Sequence, residues 1–241
     1  MRDADGITVL AVPGIGEVTP GADLGRVVAE ALAAPQGPRL QDGDVLVVTQ
    51  KVVSKAEGQL VELDHADADA KTALVERESV RVLRRRGELV VSETRHGFVC
   101  ANAGVDLSNV ADGTAALLPV DPDLSARRLR ASLRHALGVD VGVIVSDTFG
   151  RAWRRGVTDV AIGCAGVAAI VDLKGTRDAG GRELVATEVC VADEIAGAAE
   201  LVMGKDRGIP VAIVRGVPAA WMRPASVRTE IVRPPAEDLF R

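Results

Sequence analysis

The chain is 241 residues long, 47% apolar, 26% charged and only 2% aromatic, with no tyrosine and a formal net charge of −5. That size carries a core without staples, so a disulfide-dependent mini-protein is excluded, and Cys100, Cys164 and Cys190 fit reduced thiols in a cytoplasm better than a disulfide framework or a zinc knuckle. The acidic balance excludes a basic nucleic-acid face, while a polar, acidic segment 1–6 and the lack of any apolar run near ~20 residues exclude a signal peptide and a membrane span.

Apolar, β-rich runs and amphipathic segments alternate irregularly. In chain order they predict a strand over 7–12, a helix over 23–34, a strand over 45–53, a helix over about 71–86 and a strand over 89–91. A helix over 123–137, strands over 141–145 and 167–173, a helix over 188–203 and a strand over 210–214 follow. Asp121-Pro122 offers an N-cap with proline in the first turn, and Gly87, Gly138 and Gly204 stand where helices end in a left-handed residue. The pattern lacks the regular alternation of a doubly wound sheet, which argues for an α+β fold with a mixed sheet rather than a Rossmann or P-loop fold. Domain organisation reads as one domain over 1–233 and a Pro234-Pro235 linker, 234–241, with nothing after it.

Familiar nucleotide motifs are missing. Gly204-Lys205 is followed by Asp206 and lacks the upstream glycine of a P-loop, and Gly14-Ile15-Gly16 is half a dinucleotide fingerprint that reads equally as a turn. Four polar segments interrupt the apolar pattern instead. In Phe98–Asn109, Asp106 and Asn109 suit a cleft or an Asx turn. In the run from Val141, a strand delivers Asp147 and Thr148, hard oxygen ligands suited to Mg²⁺ or Mn²⁺, followed by Arg151, Arg154 and Arg155 as an anion clamp or a surface turn. Lys51 and Lys55 flank Val52-Val53, so that one snorkels while the other reaches a phosphate. Residues 174–184 form a glycine-rich basic loop, either an anion cradle or a hairpin turn.

Together, VVTQKVVSKAEG (47–58), FVCANAGVDLSN (98–109), SDTFGRAWRRG (146–156) and KGTRDAGGREL (174–184) resemble the coenzyme F420-0:L-glutamate ligase family, in register along essentially the whole chain. The likeness is to the N-terminal ligase domain of the two-domain actinobacterial form, in which a nitroreductase-like domain follows. The resemblance implies a two-lobed ligase fold and a GTP-dependent, Mg²⁺- or Mn²⁺-requiring enzyme, with a monovalent cation such as K⁺ as a further candidate. Such an enzyme adds L-glutamate to F420-0 or dehydro-F420-0 as a homodimer. It implies Asp106, Asp147 and Thr148 as metal ligands, and Ile15, Gly16, Glu17, Val18, Gln50, Lys55, Asn109, Gly204 and Lys205 as GTP contacts. Arg151 and Arg154 are then catalytic cations. Some relatives carry a metal-binding glutamine where this chain has Lys205, and an ammonium cannot ligate a metal. His96 and Glu183 are candidates for taking the proton of the glutamate amine. The same residues also suit a metal-dependent small-metabolite kinase or phosphohydrolase, or a nucleotide-sensing domain without turnover.

Overall fold

The structure, a computed structural model, describes residues 6–64 and 66–240, so residues 1–5 of the polar N-terminal segment and Arg241 lie outside it. The elements run β1 (Thr8–Ala11), α1 (Leu24–Ala33), β2 (Val45–Thr49), α2 (Gln50–Ala56), β3 (Leu60–Glu62), α3 (Ala68–Glu78), β4 (Ser79–Arg86), β5 (Leu89–Thr94) and β6 (Val99–Ala101). They continue with β7 (Thr114–Ala116), α4 (Pro122–Leu137), β8 (Gly142–Arg151), β9 (Arg154–Ala165), β10 (Val171–Asp172), β11 (Glu188–Val189), α5 (Val191–Met203), β12 (Val211–Arg215) and α6 (Val227–Glu230).

The central sheet has the order β1-β12-β2-β8-β9, with β2 and β8 parallel and the other pairs antiparallel, so the fold is α+β with a mixed sheet. Val45, Leu46, Val47 and Val48 are all fully buried, as are Val143, Ile144 and Val145. Consecutive buried residues point to alternate faces, so both faces of these strands are covered. α4 packs on β8 and β9 with α1 behind it, and α5 packs on β9, β12 and β1. Of the three smaller sheets, β10-β11, β3-β7 and β4-β5-β6, the last two accompany smaller apolar clusters, built around Leu74 and Leu117 and around Val75 and Val90 respectively. Among the described residues no helix is long and apolar enough to cross a membrane.

Helix α4 forms as its punctuation predicts. Asp121 accepts from the Leu124 amide at 2.8 Å, Pro122 opens the first turn, and Gly138 closes the helix in the left-handed region at φ 71°. Its first turn lies so close to β9 that a Cβ on Gly163 would stand 2.3 Å from the Pro122 carbonyl carbon. Buried Asp123 fastens this corner, accepting from the amides of Cys164 (2.8 Å), Val227 (3.0 Å) and Arg228 (3.2 Å) and from Ser226 Oγ (2.8 Å).

Several predicted elements differ from those observed. The helix expected over 71–86 ends at Glu78, and Ser79–Arg86 is instead an exposed edge strand paired with β5 across a turn at Gly87, whose φ of 58° serves a hairpin. Val80 and Val82 are β-branched, and the arginines around them keep the edge charged and soluble. The strand expected over 45–53 stops at Thr49 and turns directly into α2. Residues 167–169 are buried without forming a strand, and only Val171–Asp172 pairs, with Glu188–Val189, two residues expected to be helical. Gly204 has a positive φ but an extended ψ of 150° rather than a left-handed cap.

β8 and β9 continue past the sheet as a two-stranded ribbon whose turn carries Trp153, at φ 58° and 86% exposed. The Phe240 ring lies 5.5 Å from its indole, and Pro235–Glu237 makes one tight helical turn before it.

Candidate active site

Because β2 and β8 run parallel with Thr49 opposite Ser146, their carboxyl ends open at the same place. Ligands bind at such strand ends because the chain leaves the sheet there and exposes polar groups over an apolar floor. β2 delivers α2 with Gln50, Lys51 and Lys55, while β8 delivers Asp147 and Thr148. The turn after β6 brings Asp106 alongside: Lys51 Nζ lies 2.7 Å from its carboxylate and donates to Ser108 Oγ at 2.7 Å, and the Ser108 amide donates to Asp106 at 2.8 Å. Burial pushes the Asp106 carboxyl up, but Lys51 and Ser108 outweigh it, and the group titrates below its ordinary value.

Asp147 behaves in the opposite way. Burial pushes its carboxyl up to about 7 against the hydrogen bond from the Thr148 amide, with the Asp106 and Asp159 carboxylates raising it further and Lys205 opposing them. A crowded carboxylate of this kind is stabilised by a cation, and two carboxylates with a hydroxyl are hard oxygen donors suited to Mg²⁺ or Mn²⁺. Among the described residues no three Asp, Glu, His or Cys side chains converge as a preformed ligand set.

Asp159, on β9 directly opposite Thr148, was not among the sequence candidates. It is 2% exposed and accepts from Thr148 Oγ1 at 2.6 Å and from Ser146 Oγ at 3.1 Å. Lys205, just past α5, completes the group: its ammonium hydrogen-bonds Thr148 Oγ1, lies 3.2 Å from Asp159 and 3.7 Å from Glu200. The only local signal for Asp159 is one carboxylate inside the apolar run VTDVAIGCA.

The remaining candidates are spread more widely. Lys55, 7% exposed, is ion-paired with Glu17, so the 15–18 segment lies against α2, with Ile15 and Val18 buried and Gly16 and Glu17 exposed. Gln50 is buried, its amide nitrogen donating to Ser54 Oγ at 2.6 Å and to the Leu117 carbonyl at 2.9 Å. Asn109 is exposed, in the left-handed region at φ 52°, and Gly204 leads into Lys205. Arg151 and Arg154 stand at the exposed ribbon turn, Arg151 being about 10 Å along the strand from Thr148 at the usual rise per residue. Loop 174–184 is a solvent-exposed turn organised by Asp178, which accepts from the amides of Gly180 and Arg182, and Glu183 is exposed on it. His96 stacks on Phe98, and its Nε2 donates to the Pro119 carbonyl at 2.9 Å. Its Nδ1 is enclosed without a partner, and burial lowers the pKa of the ring.

A cavity of about 750 Å³, lined in part by Ile170, Trp221, Arg223 and Val232, lies beside the start of α5. The helix's thirteen residues put about 20 Å between it and Lys205.

The F420-0:Gamma-glutamyl ligase family profile matches residues 14–216. A coenzyme F420:L-glutamate ligase of Methanothermobacter thermautotrophicus is 44% identical over 251 aligned positions, covering 98% of this chain and 99% of that one. Its counterpart in Methanopyrus kandleri is 44% identical, covering 95% and 96%, and that of Archaeoglobus fulgidus is 39% identical, covering 98% and 96%. The chain belongs to the F420-0:gamma-glutamyl ligase family.

Proposed function

We propose that this protein ligates L-glutamate to coenzyme F420-0, and adds further γ-linked glutamates, at the expense of GTP. One observation carries the reading: a chain matched end to end by ligases of that name gathers Asp106, Asp147 and Thr148 with Lys51 and Lys205 at one pair of strand ends. The two-lobed arrangement inferred from the resemblance and a homodimer belong to the same proposal.

A carboxylate resists attack by an amine, so the acceptor carboxylate first takes the γ-phosphoryl group of GTP, forming an acyl phosphate and GDP. The glutamate nitrogen then attacks the acyl carbon, forming the amide and releasing phosphate, and the ammonium proton passes to a base. Phosphoryl transfer asks mainly for positioning and charge neutralisation. Asp106, Asp147 and Thr148 would hold Mg²⁺ or Mn²⁺, which when bound neutralises phosphate charge. Lys55 releases Glu17, whose side chain is 74% exposed and free to turn to water, and takes a phosphate oxygen instead. Lys205 supplies a second fixed cation beside Thr148, and Arg151 and Arg154 add positive charge from the ribbon.

The direct test is mass spectrometry of F420-0 incubated with glutamate, GTP and Mn²⁺. A product heavier by one glutamyl residue, formed only with GTP, is expected. GTP turnover indifferent to both acceptor and glutamate would instead favour the phosphohydrolase reading.

Lys55→Ala is expected to raise the KM for GTP about tenfold, in the range of one lost charge-assisted contact, with little change in Tm. A lower Tm with normal kinetics would assign Lys55 a structural role. Lys205→Gln is expected to raise the number of Mn²⁺ ions bound per GTP analogue, because the amide offers an oxygen where the ammonium offers none. Identical stoichiometry in the two forms would show that the ammonium takes no cation's place.

A further inference from the structure

The Asp159 carboxylate is used by three groups, two from β8 and one from the segment after α5. Its Oδ1 accepts from Thr148 Oγ1 at 2.6 Å and lies 3.2 Å from Lys205 Nζ, while its Oδ2 accepts from Ser146 Oγ at 3.1 Å. A hydroxyl has one hydrogen and two lone pairs. With its hydrogen given to Asp159, the Thr148 oxygen faces its surroundings only as an acceptor, and Lys205 donates to it. The ammonium is thus held both directly by the carboxylate and through the hydroxyl that the carboxylate orients. Its side chain is otherwise 57% exposed, with Glu200 at 3.7 Å and the Asp147 carboxyl, whose pKa its charge lowers, as further anions near it. A long, flexible lysine on a loop after a helix has many rotamers, and a buried counter-ion restricts them to one place.

We propose that Asp159 is a positioning residue that fixes the Lys205 ammonium at Thr148, making it a built-in cation for the phosphates of the nucleotide. This rests on the GTP reading above, and it assigns a function to a residue that itself carries a charge of the wrong sign for a phosphate site. Paired with Lys205, Asp159 aids anion binding; unpaired, it repels the anion. The sign of its contribution therefore depends on the residue at 205.

Binding of a non-hydrolysable GTP analogue in the presence of Mg²⁺, measured by calorimetry on the unaltered chain, D159N, K205Q and the double variant, reads that sign. Asparagine keeps the shape and an oxygen for the Thr148 hydrogen, and thermal melts establish that each variant is folded. D159N is expected to weaken binding about tenfold in the lysine form, and in the K205Q background to leave binding unchanged or tighten it. Equal weakening in both backgrounds, or tightening in both, would overturn the proposal, since Asp159 would then act without Lys205. A second measurement needs no nucleotide. Acylation of Lys205 by an amine-reactive reagent, followed residue by residue by mass spectrometry, is expected to be several-fold faster in D159N, because an amine no longer held against Asp159 and Thr148 is free to meet the reagent. An unchanged rate overturns the positioning role directly. A faster rate in a chain that binds no GTP analogue leaves the Asp159–Lys205 coupling standing and removes the nucleotide reading and the phosphate role together.

Discussion

Asp147→Asn is expected to lower kcat/KM for glutamate ligation by about a thousandfold or more while leaving the fold intact. The amide keeps the shape of the carboxylate and its place beside the Thr148 amide, but it loses the charge that holds a cation. Stability is not expected to suffer. Burial and the neighbouring Asp106 and Asp159 carboxylates push this carboxyl up to about 7, so its ionised form opposes folding and a neutral amide removes that opposition. The ligation assay at saturating Mn²⁺, run beside a thermal melt, separates the outcomes. Full activity in the variant would end the metal assignment, whereas a large fall in Tm would make Asp147 structural. Asp106→Asn should reduce ligation likewise, though here the ion pair with Lys51 is also lost.

Asp123→Ala is expected to produce the largest loss of stability of any single polar exchange. It removes the acceptor of three backbone amides and one hydroxyl, and two of those amides, on Cys164 and Val227, belong to residues with no exposure at all. Stranded buried donors cost about 1–3 kcal/mol each, so a loss of roughly 3–5 kcal/mol is expected after partial relaxation. For a chain of this size that corresponds to a fall in Tm of about 6–20 °C. Differential scanning calorimetry checks it, and a shift under about 2 °C would mean that water or neighbouring oxygens replace the carboxylate. Activity of the folded fraction should be retained, since Asp123 meets β9 at Cys164, about 17 Å along the strand from Asp159.

What was legible in the sequence follows from how locally each feature is encoded. The buried strands around Val47, Ile144 and Ile213 and the helices α1, α4 and α5 stand out because continuous apolarity and a one-sided apolar stripe are local patterns. Asp147 and Thr148 stand out because polarity breaks abruptly after an apolar strand. The stretch 79–86 misleads because its arginines blur the alternation of an exposed edge strand and prolong the polar composition of α3. Residues 167–169 mislead because apolarity reports burial, and a buried loop is as apolar as a strand. Asp159 is hidden for a different reason: its partners Ser146 and Thr148 lie across a hairpin, in a register shifted by a bulge, and Lys205 is 46 positions away. One carboxylate among valines and alanines acquires meaning only through pairing, which no local pattern specifies.

The aromatic poverty of the chain has a spectroscopic consequence. With no tyrosine and two tryptophans, its near-ultraviolet emission comes from Trp153 and Trp221 alone. One indole stands in solvent at the ribbon turn among Arg151, Arg154 and Arg155, and the other lines the cavity beside the start of α5. Iodide, drawn by the arginines, should quench the first selectively and leave a bluer residual spectrum from the second. The protein thus carries two optical reporters, at the ribbon and at the cavity, that can be read separately without any label.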